Sequence, residues 1–365
     1  MTHFTRRDFL RKLTAGGATL ASYWLLSACR GGQTVVPAAP LSPTSTQSPS
    51  PTDIPPSPTA AADQAGLPTP GSQPESAPTT TTAETGPPTA APSMQHPDMV
   101  VARGDQPEEL VRQALSAIGG IERFVQPGHD VIVKPNICVA YHTYEYAATT
   151  NPWVVGSLVK LCLEAGARRV RVLDYPFGGT AEEAYARSGI QEQVQAAGGS
   201  MEIMARFKYV NTDIPQGLDL RQVDIYEDVL SADVLIDVPI AKHHSLARLT
   251  LGMKNLMGII NNRPAIHRNL GQRLADLSSR IQPTLTVVDA VRILMDHGPT
   301  GGNLDDVKQL NTLIVSPDIV AADSYAATLF GMQPSDLSYI QAGTAMGLGR
   351  SDLASLKIEE ITVGG

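Results

Sequence analysis

Cysteine is scarce in this chain, with Cys29, Cys138 and Cys162 the only three in 365 residues, and no two form a C-x-x-C pair. Four thiolates for an iron–sulfur cluster are therefore not available. Other signatures are missing as well. There is no H-E-x-x-H metal spacing, no Walker phosphate loop, no G-x-S-x-G nucleophile elbow, and no G-x-G-x-x-G fingerprint between a strand and a helix. No apolar run is long enough to span a bilayer comfortably as a helix; residues 13–28 come nearest and fall short. The most informative absence is local. Positions 241–270, AKHHSLARLTLGMKNLMGIINNRPAIHRNL, contain no Asp or Glu, yet hold Lys242, His243, His244, Arg248, Lys254, Arg263, His267 and Arg268. Cations gathered without counter-charges repel one another, so an anionic ligand, phosphorylated or carboxylated, is the first expectation for this stretch.

The N-terminus carries Thr5-Arg6-Arg7-Asp8-Phe9-Leu10-Arg11-Lys12, which matches the twin-arginine export signature. The short apolar segment that follows ends in Leu26-Ser27-Ala28-Cys29, similar to a lipobox. Residues 1–29 are thus expected to be an export signal handled by the twin-arginine translocase. Cys29 becomes a lipidated N-terminus that ties the protein to a membrane facing the outside or periplasm. Residues 30–95 are dominated by Pro, Ser, Thr, Ala and Gly. They lack the apolar content to bury a core and read as a disordered stalk.

Charge sharpens the opening point. The formal net charge is −8, and residues 1–28 contribute four cations against Asp8, so the mature chain is more acidic still. A basic cluster within an acidic protein argues against nucleic acid as a partner and for a small, specific anion. With Cys29 assigned to lipid, Cys138 and Cys162 each sit in an apolar run and are expected to be buried free thiols.

Residues 96–365 alternate short β-rich runs with helical ones. Nearly continuous apolar runs at 130–133, 170–174, 234–238, 284–289 and 312–316 predict strands buried on both faces. Helices are predicted over 107–117, from Asn151-Pro152 to Gly166, over 182–197 and over 318–330, with Asp318 as an N-cap. The fold class is therefore α/β, with a mostly parallel sheet flanked by helices, as one large domain or two joined lobes.

Polar residues just beyond the strands mark the site. Ligands of open α/β sheets bind outside the carboxyl ends of the strands. There the sequence places Lys134-Pro135-Asn136, Asp174, Lys242-His243-His244 and Asp289. Lys242 and His244 are the leading catalytic candidates, a point charge beside a group able to move protons near neutral pH, with His267 in a predicted loop as a second acid/base. Lys134, Asn136, Lys254, Asn255, Asp174 and Asp289 are the expected ligand-binding residues, and Gly252 and Gly258 allow close approach of backbone around Lys254-Asn255. His243 should point away if its segment is extended. No metal ligand set is assigned, and the sequence names no cofactor.

The ordered segments VIVKPNI, TNPWVVGSLVKLCLEAGARRVRVLDYP, ADVLIDVPIAKHH, LTLGMKNLMGI, LTVVDA, GPTGG and SPDIVAADSYAATLFG closely resemble the domain-of-unknown-function 362 family across residues 96–365. Many members of that family carry a ferredoxin-like iron–sulfur module, and this chain departs from them in lacking its cysteines. A more distant likeness is to the lactate racemase family, whose members use histidines and lysines around a nickel-pincer nucleotide; an α/β frame and a Lys/His-rich pocket are what the two share. The reading that follows is an exported, lipid-anchored α/β protein that binds a small anion and transforms it by proton transfer, in an isomerase-like step. Its rivals are a non-catalytic binder of an anionic solute or cofactor, and a redox or metal-cofactor protein.

Overall fold

A computed structural model describes residues 96–364. These belong to one compact unit, Gly86–Gly365. The twin-arginine signal, the lipidation of Cys29 and the stalk at 30–95 lie outside the described residues.

The strands are β1 (Met99–Arg103), β2 (Asp130–Pro135), β3 (Arg169–Val172), β4 (Ser200–Met201), β5 (Tyr209–Asp213), β6 (Gln222–Tyr226), β7 (Val234–Val238), β8 (Ile240–His244), β9 (Arg248–Thr250), β10 (Leu285–Leu294), β11 (Val307–Ser316) and β12 (Ile358–Thr362). Ten of them form one sheet whose main path is β12-β1-β11-β10-β7-β2-β3-β4, with β8 and β9 branching from β10. The centre, β10-β7-β2-β3-β4, is parallel; β11 and the β8–β9 pair introduce antiparallel neighbours. A separate antiparallel pair joins β5 to β6. The fold is therefore the mixed α/β type, with a large, mostly parallel sheet flanked by helices.

Alternation along each strand divides the core in two, as the period of two requires. Val131 and Val133 of β2, Val234 and Ile236 of β7, and Leu285 and Val287 of β10 pack on one face, under the helices Pro107–Ala117 and Pro152–Glu164. Ile132, Leu235, Val288 and Ile314 pack on the other, under Leu270–Arg280, Ile319–Thr328 and Ser338–Ala345.

Local chemistry accounts for the element ends. Asn151 caps Pro152–Glu164 by accepting from Trp153 N, and Asp318 caps Ile319–Thr328 by accepting from Ala321 N. The helix predicted over 182–197 is two helices, Ala181–Arg187 and Ile190–Ala196, because Gly189 between them adopts φ +77°, a left-handed conformation that no helix continues through. The apolar run from 234 into 244 is likewise two strands. Pro239 lies between them, and β10 pairs first with β7 and then with β8.

Candidate functional site

At the carboxyl ends of β2, β3 and β7 a cavity of about 550 Å³ opens on the face that carries Ile132 and Leu235. Its floor is a polar chain assembled from segments far apart in sequence. Lys134 and Asp237 are register partners on β2 and β7 and share that face. Both are fully buried. Lys134 Nζ donates to Asn255 Oδ1 at 2.8 Å and to the Pro135 carbonyl at 2.8 Å, and forms a charge pair with Asp174 Oδ1 at 2.9 Å. Asp174 Oδ2 accepts from Ile137 N at 2.6 Å, which ties the β3 exit to the β2 exit. Asn255 Nδ2 donates to Asp237 Oδ1 at 2.8 Å, and Asn255 Oδ1 also accepts from Asn136 Nδ2 at 2.9 Å.

Lys242 completes the chain. Its ammonium donates to Asn136 Oδ1 at 3.0 Å, to the Ala148 carbonyl at 2.6 Å and to the Pro299 carbonyl at 2.9 Å. Those three bonds use all its protons, so Lys242 orients Asn136 and supplies positive field rather than a free donor or base. Burial lowers its pKa, while the neighbouring Cys138 and Asp174 pull the other way.

His244 does not have the character of a base. Its Nδ1 accepts from both Leu246 N at 3.1 Å and Ala247 N at 3.2 Å, which assigns the ring proton to Nε2. Burial, reinforced by the charge of Lys254 and then of Lys242, takes its pKa to about 3. The role of proton carrier near neutral pH expected from sequence is corrected to that of a neutral N–H donor at the cavity wall.

The contrasting group is Lys254. It sits in the short helix Gly252–Asn255, whose first amides, Gly252 N and Met253 N, donate to Asp323 at 2.6 and 3.0 Å. Among the described residues the Lys254 ammonium has neither a hydrogen bond nor an ion pair, although the residue lines the cavity. Burial, then the field of Lys242, lowers its pKa to about 8. Thr250, also on the wall, has a buried hydroxyl with no partner.

His267 lies at the exposed edge of the same cavity, in a 3-10 turn that follows the helix Arg263–Ile266 rather than in an open loop. Burial, Lys254 and Arg263 lower its pKa. Arg263 donates to the Tyr175 carbonyl at 2.9 Å and stacks over the Tyr175 ring.

Eight of the nine sequence candidates for catalysis and binding thus meet at one cavity. Asp289 does not. It follows Val287 on the opposite face of the sheet, where it accepts from Asn151 N at 2.7 Å and Val291 N at 3.0 Å and anchors the start of the helix Pro152–Glu164. Its assignment to ligand binding is corrected to a structural role. His243 turns away from the cavity, as its alternation with His244 requires, and accepts from Gly298 N. Sequence reasoning missed Asp237, whose signal was a carboxylate inside an otherwise apolar strand. Burial raises its pKa well above the carboxylate range against the pull of Lys134, and its Oδ2 has no partner. Cys138 is a buried free thiol on the cavity wall, and Cys162 is buried elsewhere in the core. Among the described residues no group of three or more His, Cys, Asp or Glu side chains is placed to hold a metal ion.

Residues 131–328, more than half of the chain, match the family described as Domain of unknown function (DUF362). The chain belongs to that family. Every cavity residue, from Lys134 to Pro299, falls within the matched segment, so the cavity is a feature of the DUF362 portion itself. A thylakoid-associated protein of Synechocystis sp. is 26% identical over 247 residues, which cover 65% of this chain and 74% of the relative. Among solved structures, the lactate racemase apoprotein from Thermoanaerobacterium thermosaccharolyticum aligns with a TM-score of 0.44 at 11% identity, covering 63% of this chain and 56% of that one. A Thermotoga maritima protein aligns with a TM-score of 0.36 at 12% identity, covering 63% of this chain and 60% of its own. The chain therefore spans less than two thirds of the length of either solved structure.

Proposed function

We propose that this protein binds a small anionic compound in the cavity and moves a proton on it. The observation that carries the reading is the imbalance of charge at the wall. Lys134, Lys242, Lys254 and Arg263 line the cavity against the single carboxylate of Asp174, which Lys134 already neutralises. Lys254 is the cation left without a partner, and a half-buried charge without one is costly unless a ligand supplies it. The Nε2–H of His244 and the hydroxyl of Thr250 add neutral donors suited to the oxygens of a phosphate or carboxylate. With its pKa brought to about 8, Lys254 exchanges a proton within reach of neutral pH, which makes it the base or acid of this reading.

Isothermal titration of the full chain with sulfate tests the binding. Affinity is expected to be flat up to about pH 7.5 and to fall above pH 8 by up to tenfold per unit, as Lys254 loses its charge. Lys254→Met should weaken sulfate at least tenfold; unchanged affinity would refute the assignment. Lys254→Arg separates binding from transfer, because arginine keeps the charge and does not release its proton. It should retain sulfate affinity and lose wash-in of solvent deuterium into any compound that co-purifies with the chain. Retained wash-in would leave a site that binds without Lys254 as its acid/base.

We further propose that the protein is held at a membrane through lipid on Cys29. The N-terminal signature and a thylakoid-associated relative support membrane association. Cys29→Ser should shift the protein from the membrane fraction to the soluble one, and a persistent membrane fraction would count against lipid as the tether.

A further inference from the structure

The cavity is larger and more two-sided than a simple anion needs. About 550 Å³ is the volume of roughly eighteen water molecules at about 30 Å³ each, whereas a sulfate or acetate displaces only a few. The polar groups collect at the buried floor, where Lys134 and Asn255 are almost inaccessible to solvent. The wall carries Ile137 and Met257 among its apolar members. The mouth then presents two large apolar side chains that the fold leaves in water, Phe177 at 56% exposure and Leu246 at 67%, both of which line the cavity. Tyr141, 60% exposed, packs against Gly178 and so stands beside Phe177.

Large apolar side chains grouped at the rim of a cationic cavity suit an apolar ligand segment, and the same ligand that neutralises Lys254 can supply it. We infer that the ligand is a single-chain amphiphile, an acidic headgroup seated against Lys254, Thr250 and His244 with an acyl or alkyl tail leaving between Phe177 and Leu246. This inference rests on the anion-binding reading and adds the chemistry of the remainder of the ligand. Charge complementarity fixes the direction: the head goes inward because the unpaired ammonium of Lys254 and the unpartnered hydroxyl of Thr250 are on the inner wall, and the tail goes outward because the exposed apolar pair is at the mouth.

Titration calorimetry on the full chain with methyl phosphate and with dodecyl phosphate below its micelle concentration tests the inference. The two share a headgroup and differ in tail alone. Each buried methylene strengthens binding about fourfold, so burial of four of them makes dodecyl phosphate more than a hundredfold tighter. Phe177→Ser combined with Leu246→Ser, both surface positions, should weaken dodecyl phosphate tenfold or more and narrow the gap between the probes. Equal affinity for the two phosphates overturns the amphiphile while leaving the anion site standing. Failure of both to bind removes the anion reading and this one with it. Undiminished dodecyl phosphate affinity in the double variant, or equally tight binding of uncharged dodecyl maltoside, also overturns the inference, since the tail would then lie elsewhere or the headgroup would not matter.

Discussion

At the scale of single residues, what decides the chemistry of the site is which hydrogen bonds are already taken. Lys242 and Lys254 are both lysines near one cavity, but the first has spent its three protons on carbonyl and amide oxygens and the second has spent none. Sequence placed both at the site and ranked them in the opposite order, because commitment of a proton depends on carbonyls of Ala148 and Pro299 that no local pattern brings together. Gly258 is the residue-scale constraint on the floor. A Cβ there would stand 2.6 Å from Lys134 Nζ and 2.9 Å from its Cε, and would also overlap Asp174 Oδ1. Both partners are buried, so neither has solvent to move into. Gly258→Ala is expected to cost about 1–3 kcal/mol in urea denaturation and to weaken sulfate binding together with it. A variant as stable as the parent would mean the Lys134–Asp174 pair is not held as tightly as its geometry implies.

At the scale of elements, the legible part of the fold was the set of strands buried on both faces, since a short, continuous apolar run bounded by polar residues suits a strand covered on both sides. β2 and β7 lie where those runs lie, and the polar residues after them line one cavity. The illegible part is the parity of each strand relative to its neighbours. Asp289 ends an apolar run as Asp174 and Lys134 do, yet β10 presents it to the opposite face, because parity is set by pairing with β7 and β8 and not by the run itself. The short helix Gly252–Asn255 was hidden for a related reason. Four residues carry no periodicity, and the helix exists because Asp323, 70 residues beyond Met253 in the helix Ile319–Thr328, accepts its first two amide protons. The antiparallel return of β9 onto β8, and β12 beside β1, depend on pairings that no apolar run announces.

At the scale of the whole molecule, the buried ionisable groups make stability a function of pH, and they pull in opposite directions. Burial holds Asp289 to a pKa of about 6 and Asp323 to about 7. The folded protein therefore keeps their protons after the unfolded chain has released them near pH 4, and their contribution is lost as pH rises through 6 and 7. His244 does the reverse. Its folded pKa is about 3 against roughly 6.5 in the unfolded chain, so below pH 6.5 the unfolded chain takes up a proton that the folded one refuses. Stability from this group is complete above pH 6.5 and declines as pH falls towards 3. At pH 5 the deficit is about 2 kcal/mol, from one and a half pH units at about 1.4 kcal/mol each. His244→Asn isolates that term, because the asparagine oxygen can still accept from Leu246 N and Ala247 N while the side chain no longer titrates. Urea midpoints measured at pH 5 and pH 8 should show the variant losing about 2 kcal/mol less than the parent on acidification, with the two aspartates contributing equally to both proteins. An unchanged difference between the two pH values would mean that His244 accepts a proton in the folded state, and its assignment as a neutral donor at the cavity wall would be wrong.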